Sequence, residues 1–287
     1  MKESAMLNFP ILRVTDNSGV STSDTLAIEE PLEIRISYGP QEKRSVKNIS
    51  VTMRTPGNDI ELATGFLFTE GIIRSKSELA TVAHSFIACA ANKENIIQVE
   101  LTEEAIPNLP FTDRNFYTTS SCGVCGKGSI EAIRTVSAFT ADRDEHFTIH
   151  QAILHQLPDK LREHQRVFDA TGGLHASALF KPNGELLLVR EDVGRHNALD
   201  KLIGAALELD WLPLQESVLL LSGRASFELI QKAAMAGIKI IAAVGAPSSL
   251  AVQLANEFDI TLVGFLRQQR FNIYTAGFRI IMDHYEN

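Results

Sequence analysis

Two thiols, Cys122 and Cys125, stand three positions apart in TTSSCGVCGKGS, among glycines and serines and ahead of the helix-like run IEAIRTVSAF. Glycine leaves a sulfur approachable. A helix amino end and nearby Lys127 both favour thiolate over thiol, and the thiolate is the form that attacks and that binds metal. A lone C-x-x-C fits half of a zinc site, a thiol redox or transfer site, or simple coincidence. Structural zinc wants four N or S ligands, usually from paired short-spaced motifs, and no second C-x-x-C or C-x-x-H follows. His146, His150, His155 and His164 lie in EHFTIHQAILHQLPDKLREHQ, which reads as the solvated face of a helix rather than a ligand set. A thioredoxin-like site expects the pair directly after a strand; here a long Pro-, Gly- and Ser-rich stretch from 103 to 128 precedes it. Nucleophilic sulfur transfer therefore stands as a serious candidate. Cys89, in the apolar run SFIACA, reads as a small core residue.

A second kind of chemistry is anion binding. In LLLVREDVGRHNALDK, a strand ends and Arg195, His196 and Asn197 open a helix after Gly194. Such junctions present free backbone N–H groups. The plainer alternative is that Asp192 caps the helix and Arg195 pairs at the surface. Ser222, Gly223 and Arg224 form a similar junction in LLLSGRASFELI, and Gly245, Ser248 and Ser249 a third in AAVGAPSSL. In an open α/β sheet, ligands gather at the carboxyl ends of strands, so the three loops are expected to share one crevice. Near the C-terminus, GFLRQQRFNIYT places Arg267 and Arg270 after an apolar strand with Phe271 and Tyr274 close by; guanidinium forks suit phosphate and aromatics suit a heterocycle.

The elements that must hold these residues follow from periodicity. PLEIRISYG, KNISVTMRT and ENIIQVELT read as strands, with DIELATGFLFTEGII helical between them, which predicts a β-rich N-terminal α/β domain over 1–128 that ends in the cysteine loop. From about 170, SALF and ELLLVRE flank a PNG turn. Strands and amphipathic helices then alternate, which predicts an α/β domain over 129–287 with a parallel or mixed sheet covered on both faces.

With 287 residues, 45% hydrophobic and 22% charged, the chain has ample material for a core. A net charge of -8 offers no general attraction to nucleic acid or anionic membrane, so an anionic ligand must be held locally. No stretch is long and apolar enough to span a bilayer, and the start lacks an apolar signal region, so a cytoplasmic protein is expected.

Together, TTSSCGVCGKGSIE, FDATGGLHASALF, VREDVGRHNALDKLIG, LLLSGRASFELIQKAAMAG and TLVGFLRQQRFNIYT resemble the motifs of FdhD/NarQ proteins, the accessory sulfurtransferases of formate dehydrogenase. The resemblance implies that Cys122 accepts sulfur as a persulfide from a cysteine desulfurase, with Cys125 auxiliary. The sulfur would pass to the molybdenum bis-guanine-dinucleotide cofactor, held in part by Phe265, Leu266, Arg267, Gln268, Gln269 and Arg270, before insertion into formate dehydrogenase. It further implies a cytidine-deaminase-like, three-layer α/β/α C-terminal domain with a mixed sheet. Zinc deaminases need H-x-E and P-C-x-x-C. The comparable junctions, Arg195-His196-Asn197-Ala198 and Ser222-Gly223-Arg224-Ala225, lack the glutamate and both thiols, and His175-Ala176-Ser177 also lacks the glutamate. No catalytic zinc is expected, and a homodimer is the expected assembly. The competing reading is a cofactor-binding chaperone without chemistry of its own, whose C-x-x-C binds metal.

Overall fold

The computed structural model describes residues 5–85, 95–109 and 147–283. Cys89, Cys122, Cys125 and the expected boundary at 128/129 lie outside the described residues. The expected loop is seen only at its start, where residues 102–109 are irregular.

Strands β1 (Met6–Thr15) and β2 (Ser18–Ala27) pair as an antiparallel hairpin. β3 (Glu30–Tyr38), β4 (Ser45–Arg54), β5 (Leu79–His84) and β6 (Ile96–Leu101) form a four-stranded sheet in the order β4-β3-β6-β5. Its alternation follows the two-residue strand period: Leu32, Ile34 and Ile36 are all fully buried on one face of β3. Helix α1 (Asp59–Thr69), between β4 and β5, is buried along most of its length.

After β7 (Ile149–His150) come α2 (Gln151–Arg162) and α3 (Arg166–Thr171). In α2 the apolar positions Leu154, Leu157 and Leu161 turn inward. Of the four histidines expected on one helix, only His155 lies within it, while His150 precedes it and its Nδ1 accepts from Ala152 N at 3.3 Å, His164 follows it, and His146 lies outside the described residues. The remaining elements build a six-stranded sheet: β8 (His175–Phe180), β9 (Leu186–Asp192), β10 (Val218–Leu221), β11 (Ile240–Ala243), β12 (Thr261–Gly264) and β13 (Asn272–Thr275). Helices α4 (Arg195–Glu208), α5 (Phe227–Met235) and α6 (Ser249–Glu257) connect them, and β14 (Ile280–Ile281) pairs with β7.

The order is β13-β12-β11-β10-β8-β9, with β10, β11 and β12 mutually parallel and the other neighbours antiparallel. Both faces are covered, which explains why these strands read as near-continuous apolar runs. Leu219, Leu221, Ile241 and Leu262 face a core shared with α1, α4, α5, α6 and the four-stranded sheet. Val218, Leu220, Ile240 and Val263 face a second core closed by α2 and Ile280. The six α-helices and several sheets among the described residues bear out the α/β class.

Candidate functional site at the carboxyl edge of the large sheet

Strand direction decides which loops meet. Because β9 runs antiparallel to β8, and β8 antiparallel to β10, the ends of β9, β10, β11 and β12 and the start of β8 all open at one edge. The loops there are stitched by backbone bonds. Gly245 N donates to Gly223 O at 2.9 Å, and Phe265 N donates to Gly245 O at 3.1 Å. Gly245 must lack a side chain, since a Cβ there would lie 2.8 Å from Gly223 O. The Gly223 and Gly245 junctions and the turn after β12 thus form one continuous rim, to which the Arg195 junction is joined through His196.

At the β9 end of the rim, His196 Nε2 sits 2.7 Å from Glu228 Oε2 and 3.3 Å from Ser226 Oγ, so the start of α4 is tied to the start of α5. His175, opposite Asp192 in the strand register, lies against Gly223. Burial holds its imidazole below the usual 6.5, helped by Arg195 and His196 and opposed by Asp192. The nitrogen Nε of Arg195 is buried and has no hydrogen-bond partner among the described residues. Ser222 Oγ accepts from Ala176 N at 2.8 Å, and Arg224 is exposed.

Other sequence candidates have structural partners. Asn197 Nδ2 donates to Met53 O at 2.8 Å and to Asp192 Oδ1 at 3.0 Å, while its Oδ1 accepts from Thr52 Oγ1 at 3.1 Å; it ties α4 to β4. Asp192 is not the helix cap. It is fully buried, 2.7 Å from the ammonium of Lys201, and accepts from Gly194 N and Thr55 N; Gly194 caps α4 instead. Arg195 makes no surface ion pair among the described residues.

In the β12–β13 turn, Leu266 is fully buried. Arg267 Nη1 donates to Val244 O at 2.6 Å and to Leu266 O at 2.8 Å, and Arg267 N closes the turn onto Arg270 O at 2.9 Å. Gln268 Nε2 donates to Asp159 Oδ2 at 2.9 Å. Phe265, Gln269 and Arg270 are exposed. From β9 to β12 is four strand spacings, roughly 19 Å at ~4.8 Å each, so a ligand that touches both Arg195 and this turn must be elongated.

Glu228 and Ser226 escaped the sequence reading, and His175 entered it only as a failed deaminase motif. The helix-start pattern Ser226-Phe227-Glu228 was a usable signal for the first two. Among the described residues no group of three or more His, Cys, Asp or Glu side chains is arranged to hold a metal, and no helix is long and apolar enough to cross a membrane.

The sequence pattern of the FdhD/NarQ family matches residues 27–281. A chain named sulfur carrier protein FdhD from Mycolicibacterium paratuberculosis is 53% identical, with 94% of this chain and 97% of that one covered. Another of the same name from Streptomyces avermitilis is 49% identical, covering 95% of this chain and 94% of that one. A crystal structure of a chain assigned as a formate dehydrogenase accessory protein from Desulfotalea psychrophila superposes with a TM-score of 0.69 at 24% identity. It covers 97% of this chain and 100% of that one, and so shares the fold. A match that runs through both sheets and the whole rim has one consequence: the chain belongs to the FdhD/NarQ family.

Proposed function

We propose that this chain is a sulfur carrier that takes sulfur as a persulfide on Cys122 from a cysteine desulfurase and delivers it to the molybdenum bis-guanine-dinucleotide cofactor destined for formate dehydrogenase. The observation that carries the reading is the near full-length likeness to chains named sulfur carrier proteins. In the loading step, the Cys122 thiolate attacks the outer sulfur of the donor persulfide. A new S–S bond forms on Cys122 as the donor S–S bond breaks, and the donor leaves as its own thiolate. Cys125 is auxiliary, and the protein works in the cytoplasm as a homodimer.

The cofactor is cargo, and the rim supplies what its anionic nucleotide arms need. Arg195 has a buried donor without a partner among the described residues, Arg224 and Arg270 are exposed cations, and α4 and α5 present their amino ends at the same edge. Close, directed cations of this kind offset the repulsive mean field of a chain at net charge -8. The elongated rim suits a two-armed nucleotide better than a single phosphate. In this reading the large sheet and its flanking helices are a cytidine-deaminase-like domain without zinc, its vacated chemistry replaced by nucleotide binding.

Calorimetric titration with GDP tests the nucleotide half. Wild type should bind saturably and Arg195→Ala at least about tenfold more weakly, the loss of one charge-assisted hydrogen bond. Absence of binding to wild type would remove nucleotide recognition from this rim.

A further inference from the structure

The β1–β2 hairpin takes no part in the rim, yet it is built for contact. Its two strands pair over ten residues each, from Met6↔Ala27 to Thr15↔Ser18, and β2 rests on α3. Leu7, Phe9, Leu12, Val14, Val20 and Leu26 are 42–67% exposed. Leu12 and Val14 point to one face of the ribbon and Leu7, Phe9, Val20 and Leu26 to the other, where half-exposed side chains at on the order of 100 Å² each leave roughly 400 Å². That lies within the range for a monomer's largest apolar patch and is about half of the ~800 Å² per partner of a standard interface, so polar contacts must contribute the rest. A two-stranded ribbon is also marginal by itself in water, and both of its edges leave backbone groups unpaired.

The charges on the ribbon are self-complementary. Of the strand residues, only Arg13 and Asp24 are charged. Residues opposite each other share a face, and the register runs Phe9↔Asp24, Ile11↔Thr22, Arg13↔Val20. Arg13 and Asp24 therefore lie on one face with Leu7, Ile11, Val20 and Leu26, equally far from the Ile11↔Thr22 pair and on opposite sides of it. Neither makes an ion pair among the described residues; Asp24 only accepts from Thr25 N at 3.1 Å. A two-fold axis through the Ile11↔Thr22 midpoint brings Arg13 of one copy beside Asp24 of the other, the self-complementarity that an isologous interface demands.

We infer that this hairpin is a dimerisation arm, whose occupant is the same arm of a second copy of the chain. The inference gives the homodimer of the proposed function its surface, and it rests on that part of the reading alone. Sedimentation velocity on the full chain over about a hundredfold dilution tests it, with thermal melting to confirm that each variant folds. Wild type should be a dimer. Arg13→Asp and Asp24→Arg should each weaken the dimer at least about tenfold, and the double reversal should restore it, as no contact with a different protein would. A dimer that ignores both single reversals overturns the arm and leaves the homodimer standing. A wild-type chain that stays monomeric throughout overturns both, with sulfur loading on Cys122 unaffected as a question.

Discussion

Gly65 of α1 and Gly204 of α4 let the two helices cross in backbone contact: a Cβ on Gly65 would lie 1.9 Å from Asp200 O, and one on Gly204 would lie 1.9 Å from Glu61 O. This crossing joins the four-stranded sheet to the helix whose first turn carries Arg195 and His196. Either glycine mutated to alanine gains roughly 1 kcal/mol of helix propensity and forces the helices apart. Overpacking wins at such distances, so Gly65→Ala and Gly204→Ala should each destabilise the fold by about 1–3 kcal/mol. Denaturant unfolding measures this; unchanged midpoints would mean that the helices do not meet there.

Asp192 and Lys201 form a buried pair beneath the rim, 2.7 Å apart, and Lys201 also donates to Thr55 O at 2.8 Å. Removing one partner leaves the other charge buried and the amides of Thr55 and Gly194 without their acceptor. Asp192→Ala should therefore cost about 3–5 kcal/mol. Lys201→Met should cost less, because Asp192 keeps Thr55 N, Gly194 N and Asn197 Nδ2 as donors. Equal costs in the unfolding free energies would contradict that ordering.

The sequence showed some of this and hid the rest for physical reasons. DIELATGFLFT, RHNALDKLIGAALE and the alternating strands around them were legible because burial on one or both faces writes a local period into the chain. The junctions at Arg195, Ser222 and Gly245 are legible as strand-to-helix turns; parallel pairing places the last two on one edge, and two antiparallel steps through β8 bring the first to it. What stayed hidden was nonlocal. Glu228 becomes a partner of His196 only through the packing of α5 beside α4, and Asp192 looked like a cap because nothing nearby announces Lys201 nine positions on. The β1–β2 hairpin leaves little local signal because its apolar residues join neither core among the described residues.

His175 makes stability depend on pH. Its folded value lies below 6.5 because burial first, and then Arg195 and His196 beside it, disfavour the imidazolium. The unfolded state then binds more protons in the interval between the two values. The stabilisation is fully present above 6.5 and is lost as pH falls below 6.5 toward the folded value. His175→Gln should flatten that acid limb. Melting temperatures on either side of 6.5 measure it, and a variant as acid-sensitive as wild type would place the titration elsewhere.

Arg267 and Arg270 should separate. Arg270 is exposed and free to reach a phosphate, so Arg270→Ala should weaken GDP binding by roughly 1.5–3 kcal/mol with little change in stability. Arg267 holds Val244 O and Leu266 O, so Arg267→Ala should also lower stability by about 1 kcal/mol. Calorimetry and unfolding on the two variants read both effects; equal GDP affinities of wild type and Arg270→Ala would take Arg270 out of the site.

Sulfur on Cys122 is the step on which the proposed function turns. Intact-mass analysis after incubation with a cysteine desulfurase and cysteine reads it directly. Wild type should gain about 32 Da per sulfur, reversible by reductant as a persulfide is. Cys125→Ala should still load, and Cys122→Ala should not, though it melts like wild type. Loading that persists on Cys122→Ala, or a wild type that takes no sulfur and instead holds stoichiometric zinc through Cys122 and Cys125, would contradict a carrier role for this thiol.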